Sequence, residues 1–230
     1  MVADSFAYSR LFDRALVLSA IVHEGVPRKG TVVPYIIHPV HVASILLRHG
    51  YAEPLAVAAL LHDVLEDIHY DNGRLQLAIR SAFPRAGLPD VITTADVYRG
   101  EFRRFLDNEF PPDIVALVEA VTEDKDETRP RRGWEERKRH TLEHLEQAPA
   151  DVIALKAADA LHNVRSIAED IDHHGATVFA RFNAPPLRTR WYYDGIARIA
   201  RQRLGDVPLA RELHEAVLAF TRVIESLPGA

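Results

Sequence analysis

The sequence predicts an all-α protein built as a single domain, and three observations support this. Apolar residues recur at helical spacing along almost the whole chain. No stretch of alternating β-branched residues is bounded by the turn signals of a hairpin. The 230 residues contain 47% hydrophobic and 27% charged side chains, which is typical of a folded protein with one substantial core. We therefore expect residues 1–230 to form one helical domain.

Periodicity and capping patterns predict eight helices. Gly50 suits the position after a helix end, where a left-handed backbone is common. Pro149 suits the first turn of the next long helix, because proline lacks only an N–H that would be unpaired there. In chain order, the predicted helices cover residues 6–23, 39–48, 53–68, 112–123, 134–147, 150–172, 187–204 and 208–224.

The segment 83–105 is the least regular part of the sequence. Four helix-breaking residues interrupt its apolar pattern, namely Pro84, Gly87, Pro89 and Gly100. We expect an irregular excursion there with at most short helices, serving as a lid or a contact surface.

Composition excludes several classes of function. The chain has no cysteine, so it has no disulfide, thiolate metal ligand or cysteine nucleophile, and any metal must be bound by nitrogen and oxygen. Its net charge of −5 and the lack of a long basic tract argue against binding to nucleic acid, but they leave a small anionic ligand open. No apolar run approaches the roughly 20 residues that cross a bilayer. Charged residues at the start also argue against a signal peptide, so we expect a cytoplasmic protein without membrane contact.

The segment AALLHDVLEDI, residues 58–68, carries the most distinctive polar pattern. His62 and Asp63 are adjacent in an apolar helix, and Glu66 and Asp67 follow one turn later on the same face. Three carboxylates this close repel one another unless a cation binds nearby or one of them is held protonated for acid/base work. The alternative is an amphipathic helix with a solvated acidic edge.

Two other segments add residues able to bind a metal. His38 precedes Pro39 at a predicted helix start, which holds its side chain at a defined place, although a purely structural histidine also fits. Asp159 is surrounded by small apolar residues in ALKAADALHN. Because an unpaired buried carboxylate is costly, it needs Lys156, Arg165 or a metal as its partner.

Together, HP, HDVLED and the late aspartate of ALKAADALHN resemble the HD phosphohydrolase superfamily, which implies an HD-fold helical bundle. More narrowly, four segments of this chain resemble the hydrolase half of the RelA/SpoT stringent-response enzymes and the small alarmone hydrolases. They are RKGTVVPYIIHPVHVASIL, AALLHDVLED, LVEAVTE and LKAADALHNVRS. The resemblance covers about residues 6–170, with its core motifs at 28–166.

The resemblance implies one divalent metal, usually Mn²⁺, with Fe²⁺ or Zn²⁺ as alternatives. Nitrogen and oxygen ligands of this kind suit such an ion. The implied ligands are His38, His62, Asp63 and Asp159.

By the same resemblance, Glu66 and Asp67 activate or orient the attacking water. Arg28 and Lys29 bind the nucleotide and its pyrophosphate, and Asn163 contacts the ligand. For Arg28 and Lys29, the structural alternative is a solvated basic turn.

The chain departs from the family pattern in several places. Ala160 replaces the family's arginine beside the late aspartate, residues 85–103 look inserted, and the spacing between Arg28 and His38 is one residue longer than in the long enzymes. Residues 171–230 form C-terminal helices and are too few for a synthetase domain, so we expect degradation only.

These motifs imply metal-dependent hydrolysis of the 3′-pyrophosphate of (p)ppGpp-type alarmones, giving GDP or GTP and pyrophosphate. The alternatives are an adenosine alarmone hydrolase and an HD-type nucleotidase or nucleoside-triphosphate phosphohydrolase. A catalytically silent nucleotide-binding regulatory module is the non-enzymatic alternative. The sequence does not indicate an oligomeric state.

Two further groups are ambiguous in sequence. Arg137 and Lys138 add cationic contacts to a ligand or lie on a solvated helix. The segment 181–193 contains several arginines and aromatics, including Trp191 and Tyr192. One interpretation is that they clamp a ligand; the other, which is favoured, is that the aromatics pack against the core.

Overall fold

The computed structural model describes residues 9–68, 72–85, 87–88, 95–123, 133–182 and 184–227. Within these ranges the chain is helical and contains no extended strand, which confirms the all-α prediction. None of the described helices is both long and apolar enough to span a bilayer. The α-helices are α1 (Arg10–Val22), α2 (Ile37–Arg48), α3 (Glu53–Leu61), α4 (Val64–Asp67), α5 (Gly73–Ala82), α6 (Ala95–Glu109), α7 (Pro112–Val121), α8 (Trp134–Gln147), α9 (Ala150–His174), α10 (Pro186–Leu204) and α11 (Pro208–Glu225); a 3-10 helix (Gly175–Arg181) follows α9.

Capping residues define the ends of three helices. Gly50 takes a φ of +79° after α2, and the N–H of Tyr51 donates to the carbonyl of Leu46 at 3.1 Å, which closes that end. Pro149 is the N-cap of α9, one residue before the position expected for it. At the start of α1, the Ser9 side chain accepts from the N–H of Phe12.

The prediction of an irregular segment over 83–105 was wrong for its second half, which forms α6. Phe102, Phe105 and Leu106 are spaced three and four apart and are almost fully buried. Burying each such side chain contributes about 1.5–3 kcal/mol, whereas one glycine in a helix costs about 1 kcal/mol, so Gly100 does not break it. Helix α5 was not predicted either; Asn72 caps it by accepting from the N–H of Leu75.

The predicted helix 53–68 is interrupted at His62 and Asp63, which form a turn between α3 and α4. His62 Nδ1 lies 2.7 Å from the carbonyl oxygen of Ala59. A continuous helix would pair that carbonyl with the N–H of Asp63, so the imidazole replaces a backbone partner at the end of α3. The turn is therefore formed by His62, a histidine of the HDVLED motif.

The chain divides into two compact units, each built from separate segments of sequence. Unit 1 comprises the described parts of Met1–Val26, Pro34–Leu47 and Tyr51–Thr122. At its centre α3 packs against α1 and α7, and Leu55 through Leu61 are at most 5% exposed. Helix α1 also contacts α4 and α5, and α6 contacts α4 and α7. The apolar walls of α3 thus place the turn that follows it in a fixed, buried position.

Unit 2 comprises the described parts of Pro27–Val33, Arg48–Gly50 and Glu123–Ala230. Its longest helix, α9, packs against α10, α11 and the 3-10 helix, while α10 also packs against α8. Gly195 of α10 lies directly over Leu142 of α8, where a Cβ would come within 2.7 Å of a leucine methyl group. Asp159 is buried at 8% exposure in the middle of α9.

Candidate active site

Unit 1 brings together His38, His62 and Asp63. The two Nε2 atoms of the histidines are 3.2 Å apart, and Asp63 Oδ2 lies 3.6 Å from the first and 3.1 Å from the second. Both imidazoles are buried, with 2% and 3% exposure. Two ring nitrogens and a carboxylate oxygen therefore converge on one small volume within this unit.

The ring of His62 is oriented to bind a cation through Nε2. Its Nδ1 faces the carbonyl of Ala59, which can only accept a hydrogen bond, so Nδ1 is the donor and Nε2 is the nitrogen available to a cation. Two nitrogens bound to one ion at about 2.0–2.1 Å lie about 3.0–3.4 Å apart, which matches the spacing between His38 and His62. This donor set fits a divalent metal.

Tyr35 supports the cluster and was not singled out in the sequence analysis. Its hydroxyl donates to Asp63 Oδ2 at 2.7 Å, and its ring packs edge-on against His38 at 5.7 Å between centroids. A hydrogen bond of this kind fixes the carboxylate for metal binding. Its position in PYIIHP, three residues before His38, was the available sequence signal.

We expect Tyr35→Phe to weaken metal binding by about 10- to 100-fold while leaving the fold intact, because it removes only the hydroxyl that orients Asp63. Titration of the purified protein with Mn²⁺ measures the change, and circular dichroism checks the fold. Tyr51→Phe is the matched control. Equal affinities of Tyr35→Phe and wild type would contradict the supporting role.

Glu66 and Asp67 occupy the single turn of α4, and both are partly buried. Their N–H groups donate to the carbonyl of Asp63 at 3.1 and 3.0 Å, which ties this turn to the cluster. Asp67 Oδ2 also lies 3.4 Å from Nε2 of the buried His23. The predicted catalytic pair is therefore held rigidly next to the predicted ligands of unit 1.

Unit 2 joins three of the remaining predicted residues, Arg28, Asn163 and Asp159, in one hydrogen-bonded chain. Arg28 donates to the side-chain oxygen of Asn163 at 3.0 Å, and Asn163 in turn donates to Asp159 at 2.6 Å. Lys156 binds the other oxygen of Asp159 at 2.9 Å, so it is the lysine that pairs with this carboxylate. Arg165 instead binds Glu212.

The loop that carries Arg28 is fixed within unit 2. The N–H of Arg28 donates to the carbonyl of Val33 at 2.7 Å, and Arg181 donates to the carbonyl of Gly30 at 3.1 Å. Gly30 has a φ of +74°, and a side chain there would overlap Arg181. Arg28 is therefore held in place, whereas Lys29 extends from the same loop as an exposed side chain.

Arg137 and Lys138 bind a partly buried carboxylate. Each lies 3.2 Å from Glu123, and Lys138 also sits over the ring of Tyr192 at 4.8 Å. Burial acts to raise the pKa of Glu123, but Lys138, with smaller contributions from Arg137 and Lys156, outweighs it and holds the pKa below its usual value. The two cations therefore belong to a network rather than to a freely solvated helix face.

The lowered pKa of Glu123 predicts a pH-dependent contribution to stability. The folded state favours the ionised carboxylate, so its contribution is present at neutral pH and is lost as the pH falls through the folded-state pKa. We expect Glu123→Gln to cost about 1 kcal/mol or less at pH 7, after allowance for solvent screening. Urea unfolding of both proteins should show this difference shrinking towards about pH 3. A difference that grows on acidification would contradict the assignment.

The aromatic residues of 181–193 mainly pack within unit 2, as the favoured interpretation predicted. Tyr192 is buried and contacts Trp134, with ring centroids 6.2 Å apart, while Trp191 keeps 38% exposure. Desolvation raises the pKa of Tyr193 well above its usual range, and nearby Asp159 adds to the rise. Tyr193 therefore remains a neutral hydroxyl beside the α9 carboxylate.

Comparison with known proteins places this geometry in a family. A protein-family model described as HD domain matches residues 15–188, well over half of the chain. The chain belongs to the HD domain family. An HD domain implies a divalent metal, and the donors supplied by His38, His62 and Asp63 suit one.

Individual relatives extend the comparison. The HD domain chain is 32% identical over 136 residues to guanosine-3′,5′-bis(diphosphate) 3′-pyrophosphohydrolase MESH1 of Xenopus tropicalis; the match covers 58% of this chain and only 56% of the relative's length. A solved structure described as a metazoan ortholog of SpoT that hydrolyzes ppGpp superimposes with a TM-score of 0.61 at 24% identity, covering 92% of this chain and 96% of the other, which supports the fold. The structure of lmo0812 from Listeria monocytogenes EGD-e gives a TM-score of 0.54 at 28% identity, covering 80% and 99%.

Proposed function

We propose that this HD domain hydrolyses the 3′-pyrophosphate of a (p)ppGpp-type alarmone to GDP or GTP and pyrophosphate. The observation that carries the proposal is the 32% identity, over 136 residues, to a protein named as a guanosine-3′,5′-bis(diphosphate) 3′-pyrophosphohydrolase. In the reaction, water adds to the phosphorus bonded to the ribose 3′ oxygen. The P–O3′ bond breaks, and the 3′ oxygen leaves with a proton.

The proposed metal ligands are His38, His62, Asp63 and Asp159. The first three are supported by their mutual distances in unit 1, and the fourth by family membership and by its position in the ALKAADALHN motif. We propose Mn²⁺ as the ion, with Fe²⁺ or Zn²⁺ as alternatives. When bound, such an ion polarises a phosphate oxygen and lowers the pKa of a water ligand.

Glu66 and Asp67 are proposed to orient the attacking water and accept its proton. A carboxylate is suited to this task when it lies close to the reacting oxygen and is held in one orientation. Helix α4 fixes the backbone from which both side chains extend, since their N–H groups donate to the carbonyl of Asp63. Neither side chain needs to reach across a mobile loop.

Arg28, Lys29 and Asn163 are proposed to bind the nucleotide and its second phosphate. A guanidinium can hold two phosphate oxygens at once, and the loop around Gly30 keeps Arg28 in a fixed position. Lys29 is exposed and so adds a charge that reorients easily. A diphosphate needs two holding points, which a metal and this basic pair would provide.

One specific observation keeps the adenosine alarmone as an alternative substrate. Ala160 replaces an arginine of the related enzymes, and here it is a core residue with 1% exposure, so it offers no group to a base. Selectivity between guanine and adenine must come from other residues. The nucleotidase and the catalytically silent module are the remaining alternatives.

A substrate screen tests these alternatives together. Purified protein is incubated with Mn²⁺ and, separately, with guanosine and adenosine 3′-pyrophosphorylated nucleotides, GTP, dGTP and a nucleoside monophosphate. We expect either 3′-pyrophosphorylated nucleotide to be consumed far faster than the others. Preferred turnover of dGTP or a monophosphate would favour the nucleotidase, and binding without turnover would favour the silent module.

We also propose that residues 1–230 form a single HD domain with 85–103 as an insertion and 171–230 as C-terminal helices. The match to the family model over 15–188 includes segments of both units, and neither unit is continuous in sequence. A cytoplasmic location without nucleic-acid partners is likewise proposed, on the basis of the missing cysteines and the charge of −5.

A further inference from the structure

His23 is a buried histidine whose second ring nitrogen has no assigned role. Its side chain is fully buried at the end of α1, in unit 1. Nδ1 lies 2.8 Å from the carbonyl oxygen of Ser19. Nε2 makes no hydrogen bond of good geometry to any described residue, yet it faces Asp67 Oδ2 at 3.4 Å. A buried polar atom aimed at a single carboxylate needs a physical explanation.

The position of the proton follows from these partners. A carbonyl oxygen accepts only, so Nδ1 must donate to Ser19. If Nε2 carried no proton, its lone pair would face a carboxylate oxygen, and the two acceptors would repel each other. A proton placed between Nε2 and Asp67 Oδ2 removes that repulsion, so the two groups attract each other across the 3.4 Å contact. The ring of Tyr35 covers His23 with centroids 4.8 Å apart, which prevents the imidazole from swinging away.

We propose that His23 is a positioning residue that holds the carboxylate of Asp67, and thereby the proposed catalytic pair, in the orientation needed for water attack. It acts through Asp67 and touches neither substrate nor metal. The proposal rests on the proposed function for its kinetic consequence, whereas the contact between His23 and Asp67 is independent of any substrate. The same imidazole also ties the end of α1 to α4, two helices that pack together.

The kinetic test compares two substitutions that differ only in hydrogen bonding. His23→Phe keeps a ring for Tyr35 to pack on but cannot donate, so we expect kcat to fall by about 10- to 100-fold with little change in KM, as for a misplaced catalytic group. His23→Gln keeps a donor near the Nε2 position and should recover part of that loss. Mn²⁺ content and thermal unfolding are measured for each variant.

The matched control is His49→Phe. His49 is also largely buried and faces a carboxylate, Glu212, at 2.5 Å, but this pair lies in unit 2. The His49→Phe substitution should leave kcat unchanged. If His23→Phe keeps the kcat of an active wild type, or if His49→Phe loses as much, the positioning role is overturned.

A spectroscopic measurement decides the matter without turnover. Nitrogen-15 NMR of the wild type resolves the two ring nitrogens of His23, with the resonances assigned by their absence from His23→Gln. Because Nε2 faces Asp67 and Nδ1 faces Ser19, Asp67→Asn should shift the Nε2 signal and leave the Nδ1 signal in place. An Nε2 signal that does not respond to Asp67→Asn would overturn the inference even if the enzyme is active. Conversely, an inactive wild type with the expected signals would remove the proposed function and leave this contact established.

Discussion

Asp63→Ala and Asp159→Ala are each expected to reduce metal content to background. Each removes a proposed anionic ligand, and the apparent Mn²⁺ affinity should fall by at least about 100-fold, more than for a residue that only supports a ligand. Elemental analysis of freshly purified protein and a Mn²⁺ titration provide the measurement. Asp159→Asn is a useful companion, because its amide oxygen can still accept from Asn163 and limits the cost to α9.

Asp206→Ala is the control for both substitutions. Asp206 precedes α11, is 65% exposed and pairs with Arg211 at 2.8 Å. It should keep the metal content of the wild type. A wild type that carries no metal, gains no activity from Mn²⁺ and binds neither manganese, iron nor zinc would contradict the metal assignment.

Glu66→Gln is expected to keep metal and fold but to lose about 10²- to 10⁴-fold in kcat. The amide preserves the shape of the side chain while abolishing its capacity to accept a proton. Asp67→Asn should behave similarly, because the two carboxylates share the single turn of α4. Steady-state kinetics with Mn²⁺ at saturation measure kcat and KM for each variant.

Glu24→Gln is the matched control for this pair. Glu24 lies in unit 1, is 58% exposed and binds Arg74 at 2.9 Å, so its loss should leave turnover unchanged. Near-normal rates in both Glu66→Gln and Asp67→Asn would leave these residues as an acidic helix edge, which was the structural alternative from sequence.

Local sequence was sufficient to predict those features that depend on neighbouring residues. The end of α2 at Gly50 follows from backbone chemistry. The sequence also predicted that Glu66 and Asp67 follow Asp63 by one helical turn, and their N–H groups donate to the Asp63 carbonyl. The break after Leu61 was not predictable from propensity, because it depends on the His62 imidazole replacing a backbone partner of Ala59.

Features that depend on tertiary packing were missed. The prediction for 83–105 relied on its prolines and glycines. In the structure, Phe102 stacks on Phe105 at 5.3 Å between centroids, and this packing offsets the cost of Gly100 in the helix. Tyr35 and His23 lie in the quoted motifs or close to them. Their contacts with Asp63 and Asp67 join residues 28 and 44 positions apart, so no local pattern reveals them.

The products formed from guanosine tetraphosphate in the presence of Mn²⁺ distinguish 3′-pyrophosphohydrolase activity from nucleotidase activity. Ion-exchange chromatography separates GDP, GTP and the partly dephosphorylated nucleotides, and pyrophosphate is quantified in the same samples. We expect GDP and intact pyrophosphate in equal amounts, with Arg28→Ala/Lys29→Ala slowing their release more than it weakens Mn²⁺ binding. Stepwise loss of single phosphates, or attack at the 5′ end, would contradict 3′-pyrophosphohydrolase activity and leave the chain an HD domain of the nucleotidase type.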